Sequence, residues 1–222
     1  MSYLAPNLIE EHQPAHSAIA IGVLALQGDF LEHINMLRKL GVRAVPVRKP
    51  PELDAVDGII IPGGESTTIG KLADRWGLIE PLRAFIAAGK PVWGTCAGLI
   101  LLAKDIGHTP KKGGAHVEPN RLAVMNIKVD RNAYGRQVDS FEADLPADTL
   151  PGDGVFRAVF IRAPRIEAIG AGVTPLLKLG DEVVAAVEKN VLVTTFHPEL
   201  TDDLRLHQFF VTMVRETPKL KL

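Results

Sequence analysis

Three features that often assign a protein to a class are scarce in this sequence. The chain of 222 residues has a single cysteine, which excludes an intrachain disulfide and a cysteine-rich metal site. Its formal net charge is -1 and its basic residues form no stripe, so we expect no nucleic-acid partner. No apolar run approaches membrane-spanning length, so we expect no membrane association. With 46% hydrophobic and 23% charged residues, we expect a soluble, cytoplasmic globular protein.

The length fits one ordinary α/β domain preceded by a short extension. Residues 1–17 are polar and contain proline, and they lack the basic start and apolar centre of a signal peptide. We therefore predict a flexible N-terminal extension over residues 1–17 and a single domain over residues 18–222.

Apolar runs alternate with helical patterns, which is typical of an α/β fold. Asp29 stands where a helix cap is expected, with Glu32 at capping-box spacing. The predicted strands are 18–26, 42–47, 56–61, the run that ends at Gly94, 122–129, 138–143, 155–161, 173–179, 182–188 and 191–196. The predicted helices follow Asp29, cover 67–76 and 78–88, follow Cys96, and begin with Thr201 as a cap near the end of the chain. Together they predict three layers around a mixed, largely parallel sheet.

The cysteine lies in a pentad, Gly94-Thr95-Cys96-Ala97-Gly98, between an apolar run and an apolar helical segment. This pattern is the sequence form of a nucleophile elbow, a sharp strand-to-helix turn that exposes one side chain. The first turn of a helix favours the thiolate of Cys96, and the N–H of Ala97 can contribute to an oxyanion hole. The alternative is that Cys96 is a small buried hydrophobic residue, and the pentad alone does not decide between the two.

His197 and Glu199 follow the last predicted strand, two residues apart in an extended segment. At that spacing both side chains can point to the same side. A cysteine hydrolase needs a base for the thiol proton, and the base needs a carboxylate to orient it. A capping histidine and a solvated charge explain either residue alone. Combined with the elbow, the pair favours a catalytic triad of Cys96, His197 and Glu199.

A Gly63-Gly64 loop follows the strand predicted over 56–61, at the edge where open α/β sheets bind ligands. No Gly-Lys-Ser/Thr follows it, so it is not a phosphate-binding P-loop, and a plain turn remains an alternative. His33 on the first helix is interpreted as a surface or hydrogen-bonded side chain, because no second metal ligand lies at a useful spacing.

Several segments resemble the glutaminase subunits of pyridoxal 5'-phosphate synthase, a family within the class I glutamine amidotransferases. The pentad and His197-Pro198-Glu199 resemble the superfamily's Cys-His-Glu site. The more specific segments occur in the family's order and are Leu26-Gln27-Gly28, 62–68, 131–137, Ser140-Phe141-Glu142 and 160–164. The resemblance covers about residues 19–214 and implies a three-layer, flavodoxin-like class I glutamine amidotransferase fold.

The same resemblance implies hydrolysis of L-glutamine to L-glutamate and ammonia. Cys96 would attack the side-chain amide, His197 would shuttle the proton and Glu199 would orient His197. The remaining site residues are the oxyanion-hole donors Gly64 and Ala97 and the glutamine-binding residues Gly64, Glu65, Ser66, Arg131, Ile161 and Arg162. No metal and no cofactor are implied. The implied partner is the synthase subunit, which uses the ammonia to build pyridoxal 5'-phosphate from a pentose phosphate and a triose phosphate in a large hetero-oligomer.

The chain departs from the family in its extension over 1–17 and in a loop predicted over 105–121, which is longer than expected. Three alternatives remain open: the glutaminase of another amidotransferase, such as that of imidazole-glycerol-phosphate or anthranilate synthesis; a non-enzymatic flavodoxin-like stress or chaperone protein; and an inactive regulatory subunit. The segments 62–68 and 160–164 argue against the first, and the pair of His197 and Glu199 argues against the second.

Overall fold

The computed structural model describes residues 19–107, 120–131, 140–152 and 154–217. In these residues the strands are β1 (Ala20–Leu24), β2 (Arg43–Val47), β3 (Gly58–Ile61), β4 (Val92–Thr95), β5 (Ala103–Asp105), β6 (Met125–Asp130), β7 (Phe141–Pro146), β8 (Val155–Phe160), β9 (Arg165–Ile169), β10 (Thr174–Leu179), β11 (Glu182–Glu188) and β12 (Val191–Thr194). The helices are α1 (Phe30–Lys39), α2 (Ser66–Arg75), α3 (Ile79–Ala87), α4 (Ala97–Leu102) and α5 (Arg205–Glu216), with short 3₁₀ helices over Pro50–Ala55 and Pro198–Leu200.

The central sheet has seven strands in the order β10-β11-β12-β4-β3-β1-β2. Neighbouring strands from β12 to β2 are parallel, whereas β10 and β11 extend the sheet in antiparallel fashion. The predicted mixed, largely parallel α/β fold is confirmed. Because β12, β4, β3 and β1 are parallel, the loops that follow these four strands meet at one edge of the sheet.

Helices cover both faces of the sheet, and apolar side chains alternate between two cores. On β3, Ile59 and Ile61 lie in the core that α2, α3 and α4 cover, and Ile60 lies in the core that α1 and α5 cover. This alternation explains the continuous apolar runs of the inner strands, since each face of a central parallel strand is buried. The three layers follow directly from these two cores.

Two smaller sheets stand beside the central one. Strands β5, β6 and β9 form one of them, and the antiparallel pair β7 and β8 forms the other. The hairpin of β7 and β8 contacts the central sheet where the backbone N–H of His197 donates to the carbonyl of Val159 at 2.8 Å. The hairpin therefore ends beside the carboxyl edge of the parallel strands.

The C-terminal helix begins later than predicted. Thr201 is not its cap: the hydroxyl of Thr201 donates to the carbonyl of Pro198 at 3.1 Å and accepts from the N–H of Asp203 at 3.3 Å. These bonds close the 3₁₀ turn over Pro198–Leu200, and α5 starts only at Arg205. None of the helices in the described ranges has the length and apolarity that a bilayer span requires.

Some predictions concern residues that the structure does not describe. The predicted extension over 1–17, most of the loop over 105–121 and the segment 132–137 lie outside the described residues.

Candidate active site

Cys96 occupies the turn between β4 and α4 in a conformation that side chains rarely adopt. Its φ is 48° and its ψ is -103°, and the residue is 6% exposed. The glycines on either side have no room for a Cβ: one at Gly94 would lie 2.6 Å from the backbone of Gly98, and one at Gly98 would lie 2.0 Å from the carbonyl oxygen of Ile61. The elbow therefore forms because α4 packs directly against the backbone of the sheet.

His197 and Glu199 lie at the end of β12, the strand next to β4. Nδ1 of His197 is 2.8 Å from Oε1 of Glu199, and both side chains are almost completely buried. Cys96 also lies close enough to His197 to help raise the pKa of its imidazole. The structure thus places Glu199 against the imidazole of His197, and it places Cys96 at the end of the neighbouring strand.

Asp29 is a fourth polar residue at this site, and sequence reasoning gave it the wrong role. Its side chain makes no capping hydrogen bond to α1. Instead, Oδ2 lies 3.4 Å from Nδ1 of His197. The loop after β1 reaches this position because β1 is adjacent to β3, where the N–H of Asp29 donates to the carbonyl of Gly63 at 3.3 Å. The local sequence does not show that β1 and β3 are neighbours, so this role of Asp29 could not be predicted from it.

Electrostatics keep a proton on His197. Burial alone would lower the pKa of its imidazole. The neighbouring side chains of Asp29, Cys96 and Glu199 outweigh that effect and raise the pKa to about 12. Burial raises the pKa of Glu199, and the hydrogen bond from His197 opposes that rise. At neutral pH the shared proton stays on Nδ1, which donates to Oε1 of Glu199.

Asp29, His197 and Glu199 also form the group of side chains in the described residues that has metal-ligand spacing. The ligand atoms of Asp29, His197 and Glu199 lie within 4.8 Å of one another. A proton on Nδ1 between two carboxylates gives the same spacing, because each oxygen then accepts from, or attracts, the imidazolium. The arrangement is accounted for by the proton without a metal ion.

The loop after β3 places the predicted residues Gly64, Glu65 and Ser66 at the same edge of the sheet. Gly64 has a φ of 148°. The side chain of Gln27 holds this loop, because its Oε1 accepts from the N–H of Glu65 at 2.8 Å. The carboxylate of Glu65 accepts from the N–H groups of Thr67 and Thr68 and so caps α2. Sequence reasoning did not identify Gln27 as a support, nor Glu65 as a helix cap.

Gly63 contacts the base directly. A Cβ at this position would lie 2.4 Å from Cε1 of His197. Gly28 is equally restricted, since a Cβ there would lie 1.8 Å from the carbonyl oxygen of Gly63. The loops after β1 and β3 therefore pack closely against each other, and the loop after β3 lies against the imidazole ring.

The hairpin of β7 and β8 delivers Ile161 and Arg162 to the nucleophile. The sulfur of Cys96 lies 4.0 Å from the carbonyl oxygen of Ile161. Arg162 is exposed and has a φ of 44°, so the chain turns sharply just beyond the site. Arg131 follows β6 in the smaller sheet, and within the described ranges no hydrogen bond or ion pair links it to the other predicted site residues.

His33 lies deep behind the triad, which contradicts the surface alternative and agrees with the hydrogen-bonded one. It is completely buried, with Nε2 at 3.3 Å from Oε2 of Glu199 and Nδ1 at 2.9 Å from Nε2 of His207. Burial and the neighbouring His207 and His197 hold the pKa of His33 well below its ordinary value. Burial lowers the pKa of His207 to about 3. Both rings are therefore neutral at pH 7.

Comparisons with known proteins point to one family. The family model of the SNO glutamine amidotransferase family matches residues 23–216. The protein named pyridoxal 5'-phosphate synthase subunit PdxT from Roseiflexus castenholzii is 53% identical over 196 residues, which cover 88% of this chain and 100% of that protein. A protein of the same name from Carboxydothermus hydrogenoformans is 53% identical over 194 residues, covering 87% of this chain and 97% of that protein.

A solved structure supports the same assignment at the level of the fold. A crystal structure described as a glutamine amidotransferase is 47% identical, superposes with a TM-score of 0.79, and covers 88% of this chain and 98% of its own. Sequence, family model and structure agree over nearly the whole described chain, and the chain belongs to the SNO glutamine amidotransferase family.

Proposed function

We propose that this chain hydrolyses L-glutamine to L-glutamate and ammonia, and that it supplies the ammonia to a synthase subunit that makes pyridoxal 5'-phosphate. The observation that carries the chemistry is the contact series at the sheet edge. The Glu199 carboxylate lies 2.8 Å from Nδ1 of His197, and Cys96 is close enough to help raise the pKa of the imidazole. The name of the relatives with 53% identity supports the choice of partner.

The first half of the reaction is acyl transfer to the nucleophile. The Cys96 thiolate attacks the side-chain carbonyl carbon of glutamine, so that a C–S bond forms and the carbonyl oxygen becomes an oxyanion. Backbone N–H groups of Gly64 and Ala97 stabilise that charge. The imidazolium of His197 then gives its proton to the nitrogen, the C–N bond breaks, and ammonia leaves a thioester on Cys96.

The second half regenerates the thiolate. Neutral His197 takes a proton from water, and the resulting hydroxide attacks the thioester carbon. The C–S bond breaks, glutamate leaves, and the proton on His197 returns the site to its starting state. Glu199 holds the ring orientation through both steps and stabilises its positive charge.

Free glutamine carries a carboxylate and an ammonium group, which the remaining predicted residues would bind. Arg131 and Arg162 are the cationic partners for the carboxylate, since a guanidinium pairs with it in a bidentate way. Ser66 and the backbone of Ile161 supply further polar contacts. Because the carboxylate of Glu65 already caps α2, the contribution of Glu65 comes from its backbone.

The proposed setting is the cytoplasm, and the proposed unit of structure is one glutaminase domain over residues 18–222. Cys96 is a free cysteine, and a reducing compartment keeps such a residue as the thiol that the reaction requires. The ammonia acceptor is a separate subunit, assembled with this chain in a large hetero-oligomer.

The test measures glutamate release from L-glutamine by the purified chain, alone and with a pyridoxal 5'-phosphate synthase subunit, with Cys96→Ala as the control. We expect release that increases with the synthase subunit and disappears in the variant. Release that ignores the synthase subunit keeps the hydrolysis and assigns the chain to another amidotransferase. No release that depends on Cys96 under either condition overturns the proposed reaction.

A further inference from the structure

Behind the triad lies a second series of buried polar groups that the proposed reaction does not use. His33 on α1 connects Glu199 to His207 on α5, and Thr95 on β4 lies beside it. All four side chains are buried in the protein. Trp93 packs edge-on against both histidine rings, with centroids 5.6 Å from His33 and 4.9 Å from His207. Buried polar groups are costly unless they are satisfied, so this arrangement needs an explanation beyond packing.

The tautomer of His33 follows from what surrounds its two nitrogens. Nε2 lies 3.3 Å from Oε2 of Glu199 and 3.2 Å from Oγ1 of Thr95. A bare nitrogen at Nε2 would direct its lone pair at a carboxylate, which is repulsive at low dielectric. A proton on Nε2 instead points between the two oxygens. Nδ1 of His33 then accepts from the Nε2–H of His207, 2.9 Å away.

The opposite assignment leaves a worse defect at His207. Nδ1 of His207 has no hydrogen-bond partner in the described part of the chain. If Nε2 of His207 were the acceptor, its Nδ1 would carry an orphaned buried N–H, whereas in the first assignment Nδ1 is only an unused acceptor. Both ends of the series therefore favour donation from His207 to His33 and from His33 toward Glu199.

Glu199 needs such a donor. Its Oε1 accepts from His197, but no well-directed hydrogen bond from a described residue reaches its Oε2. The Nε2 of His33 lies 3.3 Å from that oxygen, and its N–H can be shared between Glu199 and Thr95. Without it, one oxygen of a buried carboxylate would have no hydrogen-bond donor from another side chain of the described residues, which is costly.

We propose that His33 is a positioning residue of the glutaminase: its Nε2–H fixes the Glu199 carboxylate so that Oε1 stays on Nδ1 of His197, with His207 setting the tautomer of His33. This inference rests on the proposed function, because it concerns the same triad. His33 does not touch Cys96 in the described contacts, so it acts only through Glu199.

Matched variants separate the hydrogen bond from the packing. His33→Gln keeps an N–H at about the place of Nε2, since the two side chains have the same number of bonds from Cβ to that nitrogen. His33→Met has the same length and no donor. Ile34→Val, at the next buried residue of α1, removes a methylene group from the core and leaves the polar series intact.

The first readout is steady-state hydrolysis of glutamine in the presence of the synthase subunit. We expect kcat of His33→Met to fall about tenfold or more with KM nearly unchanged, and His33→Gln to recover most of the loss. Ile34→Val is expected to melt at a lower temperature and to keep its kcat. A role in packing alone would instead make kcat follow the melting temperature in all three variants.

The second readout is the rate at which iodoacetamide alkylates Cys96, followed from pH 6 to pH 9. The groups that face the histidines here are Asp29, Cys96 and Glu199 around His197, and Glu199, Thr95 and His207 around His33. A poorly held Glu199 supports the imidazolium of His197 less well, so the thiolate beside it is less favoured. We expect slower alkylation at pH 7 in His33→Met than in His33→Gln.

The third readout is nitrogen NMR of ¹⁵N-histidine-labelled protein, which distinguishes a bare imidazole nitrogen from an N–H. We expect His33 to carry its proton on Nε2, with Nδ1 bare. A proton on Nδ1 of His33, or equal kcat and alkylation rates in the Met and Gln variants, overturns the inference. A wild type that hydrolyses no glutamine overturns the proposed function instead, and the alkylation and NMR results still decide the role of His33.

Discussion

Replacement of Gly98 by alanine tests whether the elbow depends on backbone contact between α4 and the sheet. A Cβ at Gly98 would lie 2.0 Å from the carbonyl oxygen of Ile61 and 2.9 Å from its carbonyl carbon. Ordinary contact begins near 3.4 Å, so α4 must move away from the sheet by about 1.4 Å. Ile61 cannot move easily, because β3 lies between β1 and β4 and is hydrogen-bonded to both.

The expected cost of Gly98→Ala is about 3 kcal/mol or more, the upper part of the range for overpacked cores. In a domain of this size that corresponds to a fall in Tm of about 6–12 °C. Cys96 moves with α4, so glutamine hydrolysis at a temperature where the variant stays folded is expected to fall about 100-fold. Thermal melts at a fixed scan rate and assays of glutamate release measure the two effects.

Gly77→Ala is the matched control. No atom lies within 4 Å of a Cβ at Gly77, and its φ of 67° costs an alanine about 1–2 kcal/mol through the backbone alone. We expect this variant to keep its activity and to be more stable than Gly98→Ala. If Gly98→Ala melts no lower than Gly77→Ala and keeps its activity, the close packing of α4 does not control the elbow.

Three further changes give separate outcomes. Glu199→Gln removes the charge that supports the His197 imidazolium, so kcat for glutamine is expected to fall at least about 100-fold, and an unchanged kcat would exclude the orienting role. Glu65→Ala removes the cap of α2, so Tm is expected to fall by the equivalent of about 1 kcal/mol, against little change for the exposed Glu80→Ala; equal melts would contradict the cap. The folded pKa of His207 is lowered to about 3, so the stability that its neutral form contributes is complete above about pH 6.5 and is lost as pH falls toward 3. Between pH 6 and pH 4, the free energy of unfolding should therefore fall more steeply in wild type than in His207→Gln, by about 1.4 kcal/mol per pH unit. Urea unfolding at each pH measures this, and equal slopes for the two proteins would refute it.

The fold was predictable where the pattern is local and strong. The apolar runs at β1, β3 and β4 announce strands buried on both faces, and the two glycines around Cys96 announce a close turn. Strands β5 and β9 escaped prediction because β5 has only three residues, and because the side chains of β9, directly after Pro164, do not alternate regularly between buried and exposed. Both pair with β6, which is separated from β9 in the sequence by two other strands. Only the assembled sheet identifies them as strands.

The site shows the same division between local and non-local information. His197 and Glu199 are two residues apart, so their common orientation followed from strand geometry. Asp29 was predicted as a helix cap, which the local sequence favours, but its role is set by a loop from another strand. His33 could not be placed, because its partners on α5 and after β12 lie more than 160 residues away along the chain.

The position of β12 between β4 and β11 also has a consequence for the order in which the protein forms during synthesis. Strand β4 ends at Thr95 and β12 begins at Val191, 96 residues later. At about 5–20 residues per second, the ribosome needs about 5–20 s to cover that interval. Throughout it, β4 is an unpaired sheet edge that includes the apolar Val92 and Trp93, and such an edge invites pairing with other chains. Until β12 has been synthesised, the nascent chain therefore has Cys96 without His197, next to a strand edge that is prone to aggregation.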